Sequence, residues 1–242
     1  MTSIAQLRAR IGALEGVPAP SAGRSAAPLG LRDIDAVLPW GGLPAGGLHE
    51  IRAERADRPA AALGFAAFCL GRMARARPGP LLWVSLGCDL YAPGLAEFGL
   101  PSERLLLVRP ARTAELLWSL EEALRCGAVA GLLGDIGGLD FTAARRLSLA
   151  SRASGVPALL LNRAEPVAAV LTRWRVAAAP SQAPLRVGVG PWRWGLTLER
   201  CRGMALATPH WQVEVRHATG GVGLVAHAQD RSAEKTRQRQ AG

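Results

Sequence analysis

The most constraining feature of this chain is a strand–loop–helix signature that lacks the residues needed to hold a phosphate. It lies in residues 41–67, GGLPAGGLHEIRAERADRPAAALGFAA. A glycine-rich turn leads into a strand predicted over 47–52, then a polar loop over 53–58 and an apolar helix over 59–74. A working phosphate loop needs glycines so that backbone N–H groups can close on the phosphates. It also needs a Lys for the terminal phosphates and a Ser or Thr hydroxyl for Mg²⁺. The loop here has no glycine, and Pro59 and Ala60 stand where the Lys and the hydroxyl belong. The single Lys of the chain, Lys235, lies far away near the C-terminal end. The expectation is a nucleotide-hydrolase scaffold that keeps its shape without its chemistry, with no catalytic residue and no bound cofactor.

The rest of the pattern alternates strands and helices. Apolar runs of strand length occur at PLLWVSL, at 105–109, at 131–133 ahead of Asp135, and at 157–161 ahead of Asn162. Between them lie helices predicted over 90–98, 113–126 and 142–154. The strand runs are continuously apolar, as in strands covered on both faces, which implies a mainly parallel sheet with flanking helices. Beyond about residue 168 the texture changes. Stretches at 168–178, 195–202, 211–217 and 222–226 read as strands, the middle two with the alternation of antiparallel strands.

The organisation expected is an N-terminal amphipathic helix over 1–16, a Pro/Ala-rich linker over 17–30, a core over 31–228 and a basic tail over 229–242. Ile4, Leu7, Ile11 and Leu14 supply the helical spacing of the first segment. That helix either docks on a partner subunit or packs back on its own domain. No apolar run reaches membrane-span length and the N-terminus has no signal-peptide core, so the expected location is the cytoplasm.

The formal net charge is +10, which suits nucleic acid or an acidic partner. Arg-, Ala-, Gly- and Pro-rich usage also follows from genome composition, and the basic residues are spread along the chain. Four cysteines and four histidines show no metal-ligand spacing. Arg145, Arg146 and Arg152 share a helix that could meet phosphates or an acidic partner, or form a solvated face. Trp192, Arg193 and Trp194 could stack on bases, or cover a sheet edge and fill a local core.

The order of elements resembles the core of the RecA recombinase, and looks most like the ImuA family, RecA-related proteins that accompany damage-induced mutagenesis. The likeness spans about residues 31–226. It is carried by LRDIDAVLPWGGLPAGGLHEI, FGLPSERLLLVRP, GAVAGLLGDIGGL and LTLERCRGMALATPHWQVEV, taken as an ordered set. The fold implied is α/β: a RecA-like P-loop NTPase core with a mainly parallel sheet, antiparallel C-terminal strands and a degenerate phosphate loop.

The resemblance places the phosphate-loop Lys and Thr on Pro59 and Ala60, and the water-activating Glu on about Gly87. The acid that holds Mg²⁺ through water falls on Asp135, which alone keeps its type. Read from the residues themselves, Asp135 is a capping or turn carboxylate at a strand end. Asn162 matches a polar position, and Arg163 stands where the family senses the γ-phosphate. The connections at 136–142 and 163–167 are short where the recombinase has DNA-binding loops, which argues against strand exchange.

What the resemblance implies is a non-catalytic accessory factor in SOS-induced translesion synthesis. Its implied partners are an ImuB-like polymerase homologue, an error-prone DNA polymerase and RecA. Separately, the basic residues of the tail, Arg231, Lys235, Arg237 and Arg239, suit weak nonspecific DNA binding. The alternatives are a SulA-like division inhibitor that binds FtsZ, and an active ATPase with an unusual site.

Overall fold

The computed structural model describes residues 26–57, 59–75, 77–87, 90–181, 190–204, 208–216 and 221–225. The expected N-terminal helix and the basic tail lie outside them. A short pair, β1 (Ala26–Ala27) and β2 (Leu43–Pro44), flanks helix α1 (Arg32–Val37). The main sheet begins with β3 (Gly47–Ala53), followed by α2 (Ala60–Ala74), β4 (Leu81–Ser85), α3 (Ala92–Leu95) and β5 (Leu105–Val108). Next come α4 (Thr113–Cys126), β6 (Gly131–Ile136), α5 (Phe141–Ser154) and β7 (Pro157–Asn162). Strands β8 (Thr172–Ala179), β9 (Trp192–Cys201), β10 (His210–Arg216) and β11 (Gly221–Leu224) complete the elements among the described residues.

These strands form one nine-stranded sheet in the order β11-β10-β9-β8-β3-β7-β6-β4-β5. From β5 through β8 all pairings are parallel, and from β8 through β11 they are antiparallel. The fold is thus α/β, with a mostly parallel sheet and an antiparallel extension as expected. The connections leaving β4 and β6 run in opposite directions along the sheet. A crevice therefore opens beyond the carboxyl ends of these neighbours, where open α/β sheets bind ligands.

Strand alternation divides the core in two. Leu81, Trp83, Leu133, Leu159 and Leu161 face α1 and α2, whereas Leu82, Val84, Leu132, Ala158 and Leu160 face α4 and α5. Helix α2 is buried nearly all round, and small residues let it approach its neighbours. A Cβ on Gly71 would sit 1.9 Å from the Phe98 carbonyl oxygen, so no other residue fits there. Helices α4 and α5 stop at Gly127 and Gly155, both in the left-handed region that glycine adopts without penalty. No helix among the described residues is long and apolar enough to cross a membrane.

Next to the start of β3 lies a buried polar relay. His49 is fully buried, with Nε2 2.9 Å from the Pro44 carbonyl oxygen and Nδ1 2.8 Å from the Thr172 hydroxyl. A carbonyl only accepts, so Nε2 carries the proton and Nδ1 accepts from Thr172, whose oxygen accepts in turn from the Trp174 indole N–H. Burial lowers the His49 pKa to about 4, opposed in part by the Pro44 hydrogen bond. In the unfolded chain the imidazole takes a proton as pH falls through its ordinary value, while the folded form stays neutral until about 4. The unfolded state then binds more protons, so folding stability present above pH 6.5 declines toward pH 4. The expected loss is about 3 kcal/mol. Urea denaturation at pH 7 and pH 4.5 measures it, and His49→Gln should flatten that part of the difference.

Candidate functional site

At the crevice beyond β4 and β6, the side chains of Asp135 and Arg163 face each other from the ends of β6 and β7. Arg163 donates from Nε to Oδ1 at 2.9 Å and from Nη2 to Oδ2 at 2.7 Å, a two-pronged ion pair. The Ser85 hydroxyl at the end of β4 donates to Oδ2 at 3.3 Å, and Ser85 Oγ accepts from the Gly87 N–H at 3.2 Å. These groups line a cleft of about 80 Å³ together with Leu63, Trp83, Leu107 and Arg109. The cleft is small, and among the described residues its one carboxylate, Asp135, is already matched by a guanidinium. A divalent cation would have to displace Arg163 to reach Asp135. Among the described residues no group of three or more His, Cys, Asp or Glu could hold a metal ion.

Gly87 and Asp135 both line this cleft. Space is open around Gly87, where an added Cβ would meet only Ser85 Oγ at 4.0 Å. Packing therefore does not exclude a longer side chain there. Pro59 and Ala60 sit at the start of α2, and the helix residue that reaches the cleft is Leu63, one turn further on. Pro59 occupies the cap position rather than the first helical one and supplies no side-chain hydrogen bond. In the preceding loop, the Glu54 N–H extends the sheet by donating to the Val176 carbonyl at 2.8 Å, while Arg55 and Asp57 pair with each other. The loop thus continues β3 alongside β8 and then turns on its own side chains.

Asp135 does stand at a strand end, but its carboxylate pairs with Arg163 and Ser85 rather than serving as the expected capping or turn carboxylate. The cap of α5 is Asp140, whose Oδ1 accepts from the Ala143 N–H at 2.8 Å. The sequence carries that signal, an Asp directly ahead of a helix-forming run. The partnership of Asp135 with Arg163 has no such signal, because the two are joined only by the adjacency of β6 and β7.

A second cluster lies under the β7–β8 connection, and sequence reasoning missed it. Glu50, in the middle of β3, is fully buried. It accepts from Asn162 Nδ2 at 2.6 Å, from the Val167 N–H at 3.0 Å and from Arg173 Nε at 2.6 Å. Arg173 in turn donates to the Val167 carbonyl, Asn162 donates to the Glu165 carbonyl, and Arg52 donates to the Ala164 carbonyl. The connection is pinned from within by this network. The one available sign was an acidic residue inside an apolar strand, LHEI, with Arg173 placed to answer it.

The residues singled out for DNA or partner contact are dispersed. Arg145 is exposed on α5 and Arg152 is partly buried. Arg146 reaches across to α4 and binds Glu121, which Arg125 also pairs at 2.6 Å. On β9, Trp192 is 47% exposed, Arg193 binds Glu214 on β10 at 2.8 Å, and Trp194 lies in the core.

No protein-family model matches this chain. Two curated relatives do, each described as "Protein ImuA" and each from Caulobacter vibrioides, one from strain NA1000 / CB15N and one from strain ATCC 19089 / CIP 103742 / CB 15. Each is 38% identical over 190 residues, covering 70% of this chain and 76% of the relative.

Proposed function

We propose, from the premise that the chain belongs to the ImuA family, that it is a non-catalytic RecA-like accessory factor in DNA-damage-induced translesion synthesis. It acts by protein–protein contacts with an ImuB-like polymerase homologue, in a pathway that includes an error-prone DNA polymerase, and with RecA. The sheet order, six parallel strands continued by three antiparallel ones, supports the RecA-like part of this reading. The observation that carries the non-catalytic part is the pairing of Asp135 with Arg163. A carboxylate that serves a magnesium ion must offer its charge to that ion. Here a guanidinium takes both oxygens. The loop ahead of α2 offers no glycine and no Lys, and Gly87 offers no base.

Calorimetric titration of the pure protein with MgATP is expected to give no saturable binding, and the protein should release no phosphate from ATP. Pull-down with the ImuB-like protein and with RecA is expected to capture both. Tight, Mg²⁺-dependent ATP binding would overturn the reading, as would ATP turnover that Asp135→Asn abolishes.

A further inference from the structure

The nine-stranded sheet ends at β5, whose outer edge pairs with no other strand among the described residues. Leu106 shares the sheet face of Leu82, toward α4, and Leu107 shares that of Trp83, toward α2. Leu106 is 51% and Leu107 49% exposed, so neither helix layer covers the edge. Folded proteins blunt such an edge with a charge, a proline or a bulge inside the strand. Strand β5 has none of these: it reads LLLV, and its register on β4 runs without a shift. Exposed charges stand beyond its ends. Glu103 lies in the 3₁₀ turn Ser102–Arg104 ahead of the strand, and Arg109 follows it directly.

We propose that β5 pairs antiparallel with β5 of a second copy of this chain, joining two sheets into one across a two-fold axis. Residues directly opposite each other in an antiparallel pair share a face of the sheet. A two-fold axis along the sheet normal leaves each face on its own side, so the axis passes beside a residue and not between two.

Charge and hydrophobicity select the register. Centred on Leu106, the pairing sets Leu106 against Leu106 of the partner subunit on one face. On the other face it sets Leu105 against Leu107 of the partner subunit, and the reverse. It also brings Glu103 alongside Arg109 of the partner subunit at both ends, as a contact between side chains outside the ladder. Centring on Leu105 would set Glu103 against an apolar Leu107, and centring on Leu107 would set Arg109 against Leu105. The apolar pairs and the opposite charges thus agree on one register. That self-complementarity favours a second copy over an unrelated strand.

The test uses the full-length chain alone, so its result is independent of the partners proposed above. Sedimentation velocity over an about hundredfold range of protein concentration should show a monomer–dimer equilibrium. Leu106→Lys, a change at a half-exposed position, should raise the dimer dissociation constant at least about tenfold at unchanged Tm. Glu103→Arg and Arg109→Glu should each weaken the dimer about tenfold, and the two together should restore it. Disulfide trapping reads the register directly, with Cys88→Ser and Cys126→Ser as background because the Cys126 thiol is exposed. Leu106→Cys should close between subunits at least about tenfold faster than Leu107→Cys, whose two copies stand diagonally about 7–8 Å apart. A chain that sediments as a monomer throughout would overturn the proposal. A dimer indifferent to Leu106→Lys would also overturn it, as would a double charge reversal no tighter than either single one. Equal closure by the two cysteine variants would rule out this register and with it the proposal.

Discussion

Glu50→Ala is expected to lower the stability of the fold by about 3–5 kcal/mol, enough to leave much of the protein unfolded at physiological temperature. The size follows from what remains behind. Glu50 is fully buried and its Arg173 partner is only 14% exposed. Removing the carboxylate strands a guanidinium away from water, and it also leaves the Val167 N–H and the Asn162 amide without their acceptor. A buried ion pair is weak evidence of net stabilisation, but breaking one side of it is costly because the survivor keeps its desolvation penalty. The double variant Glu50→Leu/Arg173→Leu should therefore be more stable than Glu50→Ala alone. Chemical denaturation of the single and double variants measures both terms. A midpoint for Glu50→Ala unchanged from the parent would mean that the pair is solvated.

The same cluster shows what could and could not be read from the linear chain. Strands β4, β5, β6 and β7 were legible because each is a compact apolar run, and β3 was legible from the glycine-rich turn ahead of it. Helix α4 was legible from its apolar spacing and the terminal Gly127. The boundaries that moved did so for tertiary reasons. A strand was expected from residue 168, but β8 begins at Thr172. The intervening residues are held as a turn by Val167 on Glu50 and by Leu171, whose N–H donates to the Leu48 carbonyl. Strand β9 begins at Trp192 rather than 195, because Trp192 and Arg193 pair in register with Val215 and Glu214 of β10. Local propensity carries no term for a partner strand, so such extensions are invisible until the sheet exists.

At the candidate site, the want of an amine or a hydroxyl at Pro59 and Ala60 was legible directly from residue type. The fate of Asp135 was not. Its carboxylate could have faced a cation, a helix start or a neighbouring side chain. Only the placement of β7 beside β6 brings Arg163 into reach.

Trp194→Ala is expected to cost about 3–5 kcal/mol, while Trp192→Ala changes stability by no more than about 0.5 kcal/mol. The two residues stand two apart on β9 and so point to one face of the sheet, yet their surroundings differ. Trp194 is 4% exposed and packs edge-on against Phe65 at 6.2 Å and tilted against Phe98 at 6.0 Å between ring centroids. It also fits over Gly64, where a Cβ would approach the indole to 2.8 Å. Truncation would leave a cavity that α2 cannot close, because Gly64 and Ala61 on its facing side are too small to refill it. Trp192 opens the strand at 47% exposure, so its truncation removes less buried surface. If bases stack on this segment, the stacking surface is therefore Trp192 and not Trp194. Trp192→Ala should then weaken single-stranded DNA binding, read by fluorescence anisotropy, at unchanged stability. For Trp194→Ala, any loss of DNA binding should follow its unfolding curve, since its indole stabilises the junction between the parallel sheet and its antiparallel extension. An equal and modest stability loss for both variants would show that the junction is not a single packed unit.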